Sequence, residues 1–568
     1  MSRLRFLTAG ESHGPALVGI LDGMPAGVRL LVEHIARDLQ RRKLGYGRGG
    51  RMKIEPELPR ILAGVRHGVT MGTPLAIFIE NADHAKAWAT RMAVEPSDER
   101  GNEVSLPRPG HADLTGAIKF GHRDLRNSLE RASARETATR VALAAAVRRA
   151  LDELDVRVGS FVTSIGEAHA TEPPAGLRDL FDEDADALAL EADKSSVRAL
   201  SPRDDEAFRV QIERAQQERD TVGGTFEVRV TGLPPGVGTY AQHDLRLDGL
   251  LARALASIPA IKAVELGDGF RNAELFGSKV HDPMDRKGGG IARPTNHAGG
   301  LEGGITNGEP LFVRGAMKPI ATVPAALRSV DLSSGEADAA HVERSDTCAV
   351  PAAAVVGEAV VALAVAEELF AKLGGDSLAE LQAALRLAWR RARLLEGHVY
   401  LCGLPGSGKS TVGPLLANLL GLPLIDLDAR LEKSAGRSVP EIFSAEGEDG
   451  FRAREAAQVR EISRGPRSVV ALGGGAVTSR AIRHHVRRSG HLIWLRAPVD
   501  LCAGRAAAGR PLLAGDPVGK LAALASTREP LYARISDAQI DVEGLSPEQV
   551  ARACAAAVRS LEAERAWR

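Results

Sequence analysis

Gly403-Leu404-Pro405-Gly406-Ser407-Gly408-Lys409-Ser410-Thr411 is the stretch from which the chain is best read. It fits G-x-x-x-x-G-K-[ST], a loop whose backbone N–H groups close around phosphate oxygens. Glycine is needed there because a Cβ would block that approach, and the following helix adds its positive end. The flanks agree with this reading. HVYLC, residues 398–402, has the look of a short buried strand, and Val412, Leu415, Leu416, Leu419 and Leu420 recur at helical spacing until Gly421. In that setting Gly406, Ser407, Gly408 and Thr411 surround a nucleotide's phosphates, Lys409 reaches the outer ones and Ser410 faces Mg²⁺. A glycine-rich turn can match such a pattern by chance; strand, loop and helix in succession argue against that. Pro414 falls early in the helix, where it removes an N–H and is expected to kink the first turns.

A chain of 568 residues should hold more than one domain, and 44% hydrophobic residues suffice for real cores. Lys+Arg and Asp+Glu both total 73, so no global basic field points to nucleic acid or a membrane surface. Aromatics at 4% supply few base-stacking platforms. Cys348, Cys402, Cys502 and Cys554 are scattered without C-x-x-C spacing, as reduced core thiols would be. Charged and polar residues, Glu11 and His13 among them, arrive before any signal-like apolar run develops. The most apolar stretch, 349–370, is broken by Glu358, Glu367 and Glu368, which suits a buried helix and not a membrane span. The expectation is a cytoplasmic protein of small-molecule chemistry.

Organisation changes near residue 380. Residues 378–395 (LAELQAALRLAWRRARLL) form a helical pattern that leads into the strand before the phosphate loop. The expected division is 1–376, a helical linker at 377–397, and 398–568. Residues 170–220 are charged and read as irregular surface. Before residue 376 the chemistry-bearing residues sit on turns. His13 lies in Gly10-Glu11-Ser12-His13-Gly14, after a strand expected at 4–9. Arg41, Arg42, Lys43, Arg48, Arg51 and Lys53 are threaded with glycines, as in a solvated loop or a clamp for a multiply anionic ligand. His111 lies in Arg108-Pro109-Gly110-His111-Ala112-Asp113, a carboxylate two residues on; histidine is suited to moving protons near neutral pH. A helix is expected from about Ser128 through Arg131, Ser133 and Arg135 towards Leu154. Glycine is dense over 267–308, around Arg293, Asn296 and His297. That density suits mobile turns or close approach to a flat or anionic ligand.

GESHG, RRKLGYGR, RPGHAD, RASARETATRV, LEGGITNG, MKPIAT and RSDTCAVPAA follow one another in this order. The set resembles the chorismate synthase family over roughly residues 1–375. The resemblance implies a β-α-β sandwich, usually tetrameric, that binds reduced FMN. It also implies a 1,4-anti elimination of phosphate and a proton from 5-enolpyruvylshikimate-3-phosphate. By matching motif, His13 would protonate the leaving phosphate, His111 would protonate or steady the reduced flavin, and Asp346 would assist proton removal through it. Arg42 and Arg48 fall on positions for anionic-ligand or NADPH contact. Arg131, Ala132, Ser133, Pro259, Ala260, Gly303, Lys318, Pro319, Ile320, Ala321, Thr322 and Arg344 fall on FMN-contact positions. Ala132 and Ala321 stand where the family carries hydroxyls, and Leu114 where an aromatic is usual.

Beyond the phosphate loop, LPLIDLD at 422–428 reads as a strand whose Asp426 and Asp428, at i and i+2, share a face. Arg452 has Glu455 one turn on, a carboxylate placed to steer it. Val469–Leu472 runs into Gly473-Gly474-Gly475, Arg510-Pro511-Leu512-Leu513 reads as a lid carrying a cation, and Arg528 precedes a helix break at Pro530. With the phosphate loop, this set resembles the shikimate kinase family over roughly 397–565, which implies a parallel-sheet α/β fold with a closing lid. Lys409 and Arg510 would then handle ATP phosphates, and Ser410 and Asp426 would hold Mg²⁺. Asp428, Arg452, Gly473, Gly474, Gly475 and Arg528 would take shikimate. The combined expectation is a bifunctional α/β enzyme needing reduced FMN, ATP and Mg²⁺, with NADPH a candidate reductant for the flavin. The competing readings are a flavoprotein reductase fused to a generic small-molecule kinase, a nucleotide-switched regulatory module, and a basic-loop nucleic-acid binder.

Overall fold

The computed structural model describes residues 4–49, 57–96, 103–287, 290–343, 345–506 and 516–564. They divide into two units, Met1–His281 with Asn296–Leu381 and Asp282–Thr295 with Gln382–Arg568.

In the first unit a layer of helices lies between two antiparallel sheets. One sheet orders Arg5–Ala9, Ala16–Asp22, Leu75–Glu80 and Pro59–Ala63. The other orders Ile261–Leu266, Leu311–Met317, Gly224–Thr231, Arg157–Ile165 and Ala168–His169. Helix Thr137–Glu153 packs on the first sheet, Val350–Leu373 packs on the second, and the two helices pack on each other. Val350–Leu373 is apolar all round because both of its sides are covered. It is long and apolar enough to cross a membrane, and 94% of its most apolar window is buried inside the protein. Glu358, in that helix, is fully buried and accepts from Arg41 (2.6 and 2.8 Å), Arg148 (2.8 Å), Arg198 (3.2 Å) and Ser160 (2.8 Å). Burial pushes its carboxyl upward, but the three guanidiniums outweigh burial and hold it well below the ordinary carboxylate range.

Two expectations for the first unit are corrected. Residues 178–183, 185–193 and 202–217 are helices, not irregular surface, and bury Leu188, Phe208 and Ile212. Asp184 and Ser201 cap the second and third of these with side-chain oxygens. The helix expected from Ser128 is broken: Arg126–Arg131 ends, Ser133 turns extended and accepts from the Arg135 N–H (3.3 Å), and Thr137–Glu153 begins anew. The segment expected as a helical linker forms helix Leu378–Ala392, and the boundary between the two units, after Leu381, falls within it. Arg386 there donates to the Ala533 carbonyl (2.6 Å), and Trp389 is buried. The following Arg393 pairs with Asp537 (2.5 Å) and donates to the Gly490 carbonyl (2.6 Å).

The second unit has a parallel sheet ordered Leu424–Asp426, Val469–Ala471, His398–Cys402, Gly490–Arg496 and Ala538–Asp541. The central strand is buried throughout, as parallel strands covered on both faces are. Helix Lys409–Leu420 starts at Gly408 and runs through Pro414 to Gly421. Pro530 likewise lies inside helix Pro517–Ile535, without the expected break. Asp426 ends its strand and caps helix Leu427–Ala435, its Oδ1 accepting from Ala429 N (3.2 Å). Asp428 therefore sits in the first turn of a helix, and the shared strand face expected for the two acids is wrong.

Candidate active sites

A cavity of about 880 Å³ opens in the first unit. His13, His111 and Asp346 share its wall with Arg42, Arg48, Ala132, Ser133, Pro259, Ala260, Lys318, Ile320, Ala321 and Thr322. Pro319 lies between two of these residues. Two expected flavin contacts are placed elsewhere. Arg131 donates to the carbonyls of Gly10 and Thr8 and to the Thr8 hydroxyl, all at 2.9 Å. Gly303 forms, with Gly304, the turn between Leu301–Glu302 and Ile305–Thr306, where its φ of 62° suits glycine. Arg344 lies outside the described residues.

The three residues expected to handle protons are each tied to a partner. His13, on the turn after Arg5–Ala9, sits with Nδ1 2.9 Å from Glu130 Oε1, and its backbone N–H donates to Glu130 Oε2 (2.8 Å). His111 Nδ1 is 2.6 Å from Asp113 Oδ1. Asp113 also accepts from Arg108 Nε (2.8 Å) and Nη2 (3.0 Å). Burial pushes the Asp113 carboxyl up, yet hydrogen bonds from His111 and Arg108 hold it well below the ordinary range. Asp113 and Arg108 thus both face His111 Nδ1, the second through Nη2 at 3.0 Å. Asp346 accepts from Arg48 Nη1 (2.6 Å) and from Gly49 N (2.6 Å). Arg42 is buried and turned to Thr137 Oγ1 (3.1 Å), Glu57 (3.0 Å) and the Ala134 carbonyl (3.1 Å). It holds three segments of the wall together. Burial and the nearby Lys262 lower the Lys318 ammonium. The volume, and the cations Arg48, Arg108, Arg126 and Lys318 around it, fit a phosphorylated flavin beside an anionic substrate. Trp88, Arg126 and Glu130 were not singled out from sequence, where none belongs to a recognisable motif.

The second site is built on backbone. Gly406 (φ 85°) could carry no side chain, since a Cβ there would lie 2.4 Å from the Cys502 carbonyl. Lys409 Nζ donates to the carbonyls of Gly403 (2.8 Å) and Leu404 (3.0 Å). Ser410 Oγ lies 3.3 Å from Asp426 Oδ2, a hydroxyl and a carboxylate side by side as Mg²⁺ requires. Gly473 leaves room for Glu455 and Asp428: a Cβ on it would meet Glu455 Oε1 at 2.7 Å and Asp428 Oδ1 at 3.0 Å. A Cβ on Gly475 would strike Arg452 Nη2 at 2.2 Å, and one on Gly474 would meet Pro405 Cδ at 3.0 Å. Arg452 pairs with Glu455, whose carboxyl burial pushes up to about 7 against that attraction. Arg528 is near enough for its charge to act on Glu455. Asp428, Arg452 and the glycine triplet thus meet at the phosphate loop. Arg510 lies outside the described residues. Tyr532, missed from sequence, donates from its hydroxyl to the Gly474 carbonyl (2.5 Å).

A cation-lined cavity holding two histidines and a second site on a phosphate loop thus occur in one chain. Residues 4–370 match the chorismate synthase family model, and residues 405–559 match that of shikimate kinase. The chorismate synthase of Chlorobium phaeobacteroides (strain BS1) is 50% identical over 380 residues, covering 66% of this chain and 96% of that protein. A crystal structure of chorismate synthase matches with 40% identity and a TM-score of 0.54, over 68% of this chain and 99% of its own. A shikimate kinase from Acinetobacter baumannii, solved in complex with shikimate, is 34% identical over 30% of this chain and 97% of its own, with a TM-score of 0.29. The chain belongs to the chorismate synthase family and carries a shikimate kinase domain behind that part. It is an enzyme with two activities, a lyase and a kinase, and both expected resemblances hold.

Proposed function

We propose that the first site eliminates phosphate from 5-enolpyruvylshikimate-3-phosphate and that the second phosphorylates shikimate from ATP with Mg²⁺. The observation that carries the first is that His13, His111 and Asp346, far apart in sequence, share one cation-lined cavity. Reduced FMN, when bound there, supplies an electron-rich ring to the elimination. Lys318, Thr322 and the Ala132–Ser133 turn would hold it, and Arg48 and Arg126 would bind the substrate's anionic groups. His13 donates a proton to the departing phosphate, which leaves with the C–O bonding electrons as the C–O bond breaks. His111, oriented by Asp113, steadies charge beside the flavin, and Asp346 assists removal of the substrate proton. NADPH enters only as a reductant for the flavin.

In the second site Lys409, with Arg510, neutralises the transferring phosphoryl group, and Ser410 and Asp426 hold Mg²⁺. Asp428 accepts the proton of the attacking hydroxyl, and Arg452 and Arg528 grip the acceptor's carboxylate. We place the functional division between 1–376 and 398–568, and read the chain as a cytoplasmic homotetramer assembled through its first unit. Leu7, Ile20 and Leu62, exposed on the outer sheet, support that assembly. The purified chain should form shikimate 3-phosphate from shikimate and ATP, and chorismate from the enolpyruvyl phosphate with reduced FMN and no net oxidation. Net, substrate-dependent consumption of NADPH in the second assay would make the first unit a reductase.

A further inference from the structure

Glu130 is fully buried and aimed at one histidine. Its Oε2 accepts the His13 backbone N–H (2.8 Å), its two oxygens lie 2.9 and 3.0 Å from His13 Nδ1, and its own carbonyl accepts from Ser12 N (3.1 Å). Arg126 Nη1 donates to the same carboxylate (3.3 Å). A carboxylate that already accepts a backbone N–H and a guanidinium is an acceptor for the imidazole as well, so the Nδ1 proton is fixed towards Glu130. The ring plane is fixed separately. Trp88 stacks on it with centroids 3.9 Å apart and planes 19° from parallel, and Arg126 lies over the far ring at 5.0 Å. Trp88 closes a wide, π-type helical turn, His84–Trp88, a local geometry that recurs at functional sites. His84 Nδ1, 2.8 Å away, donates to the His13 carbonyl from the start of that turn.

We propose that Glu130 and Trp88 are positioning residues for the elimination, which rests on reading the first unit as the chorismate-forming site. Glu130 sets the tautomer, so that Nε2 is the nitrogen that serves the cavity; Trp88 sets the plane in which Nε2 points. When Nε2 gives its proton to the phosphate oxygen, the C–O bond breaks with both electrons on oxygen. The ring that remains is the neutral form, whose single proton stays on Nδ1 against Glu130. The arrangement is that of a carboxylate orienting a catalytic imidazole, with an indole as the second restraint.

The test uses the full-length chain with reduced FMN. Glu130→Gln keeps the shape and Arg126's partner but offers one acceptor in place of two. Its elimination kcat should fall about 10- to 100-fold, part of what a positioned acid supplies, with KM and FMN affinity within about twofold. Glu130→Ala should fall further and recover at least about fivefold in added formate, which rebuilds the carboxylate; wild type should not respond to formate. Trp88→Ala gives an independent reading if the Glu130 variants fold poorly, again as a kcat loss without loss of FMN binding. A kcat of Glu130→Gln within about threefold of wild type overturns the proposal. So does a loss that tracks FMN affinity and ignores formate, the mark of a merely structural carboxylate. A wild-type chain that makes no chorismate faults the underlying assignment before any variant is compared.

Discussion

The two sites of this chain handle phosphate with different materials. In the first unit each working side chain is held by another side chain: His13 by Glu130, His111 by Asp113, Asp346 by Arg48. In the second, the phosphate loop and the glycine triplet are backbone, and side chains fit into the space that absent Cβ atoms leave. The first arrangement is proposed to move protons, which requires fixed tautomers and fixed donors. The second is proposed to move a phosphoryl group, for which backbone N–H groups around the phosphates carry much of the positioning. Side-chain scaffolds bury charge and depend on complete pairing; backbone scaffolds depend on glycine.

The sharpest way to break this contrast is to remove one group from each side. Lys409→Ala should lower shikimate phosphorylation by about 10³–10⁵, the range a cation on the transferring group supplies, and leave chorismate formation unchanged. Kinase turnover within about tenfold of wild type, a barrier change below about 1.4 kcal/mol, would sink the assignment. His13→Ala and His111→Ala should each cut elimination by about 10²–10⁴ with the kinase untouched. Normal turnover of both with reduced FMN supplied would make these histidines structural.

The same contrast explains what was legible in the sequence. The phosphate loop, the triplet and the histidine turns could be read because they are contiguous, and a contiguous motif carries its own geometry. Glu130 could not be read as His13's partner, since 117 residues separate them and only the helix at 126–131 brings the carboxylate back. Asp426 and Asp428 misled for a local reason: an aspartate that ends a strand also caps a helix, and the cap turned period two into a first helical turn. Pro530 was read as a break, yet its helix runs on around it.

The linker sharpens the comparison at the level of units. A second-unit fragment beginning at Gln382 keeps Trp389 and Arg393; one beginning at Gly397 leaves Asp537 without its guanidinium. Breaking a buried pair from one side costs about 3–5 kcal/mol. The longer fragment should therefore retain kinase activity and the shorter one should unfold at markedly lower urea. Equal midpoints would return residues 382–397 to the status of a passive linker. A smaller effect follows from Glu455, whose carboxyl is raised to about 7 by burial. From its unfolded value near 4.3 up to about 7, the folded state binds the extra proton, so stability falls as pH rises. The penalty is absent below that window and complete above it. Glu455→Gln should therefore gain on wild type by on the order of 1–3 kcal/mol between pH 5 and pH 8, read from the urea midpoint of kinase inactivation. A pH-independent difference would remove the burial argument.

The smallest expected effect tests whether the second site is set by backbone at all. Tyr532 is fully buried, and burial raises its hydroxyl further above the neutral range, so it stays protonated and donates. Its acceptor is the carbonyl of Gly474, the middle of the triplet. A peptide unit is planar, so holding the Gly474 oxygen also fixes the direction of the Gly475 N–H, which points the opposite way. Glycine offers the least resistance to peptide rotation, so without that bond the triplet samples orientations in which this N–H is misdirected. Tyr532→Phe keeps the ring and its packing against Trp494 and removes only the hydroxyl. The loss is one hydrogen bond, about 0.5–1.5 kcal/mol, and it should appear as a KM for shikimate raised by roughly 2- to 12-fold. On the proposed assignment of the triplet to the acceptor, the KM for ATP and kcat should change by less than about twofold, within roughly 0.4 kcal/mol. An equal rise in both KM values would mean that the hydroxyl supports the fold of the whole site. No change in either would show that the glycine triplet is held by its own packing on Pro405 and Arg452, without help from a side-chain hydroxyl.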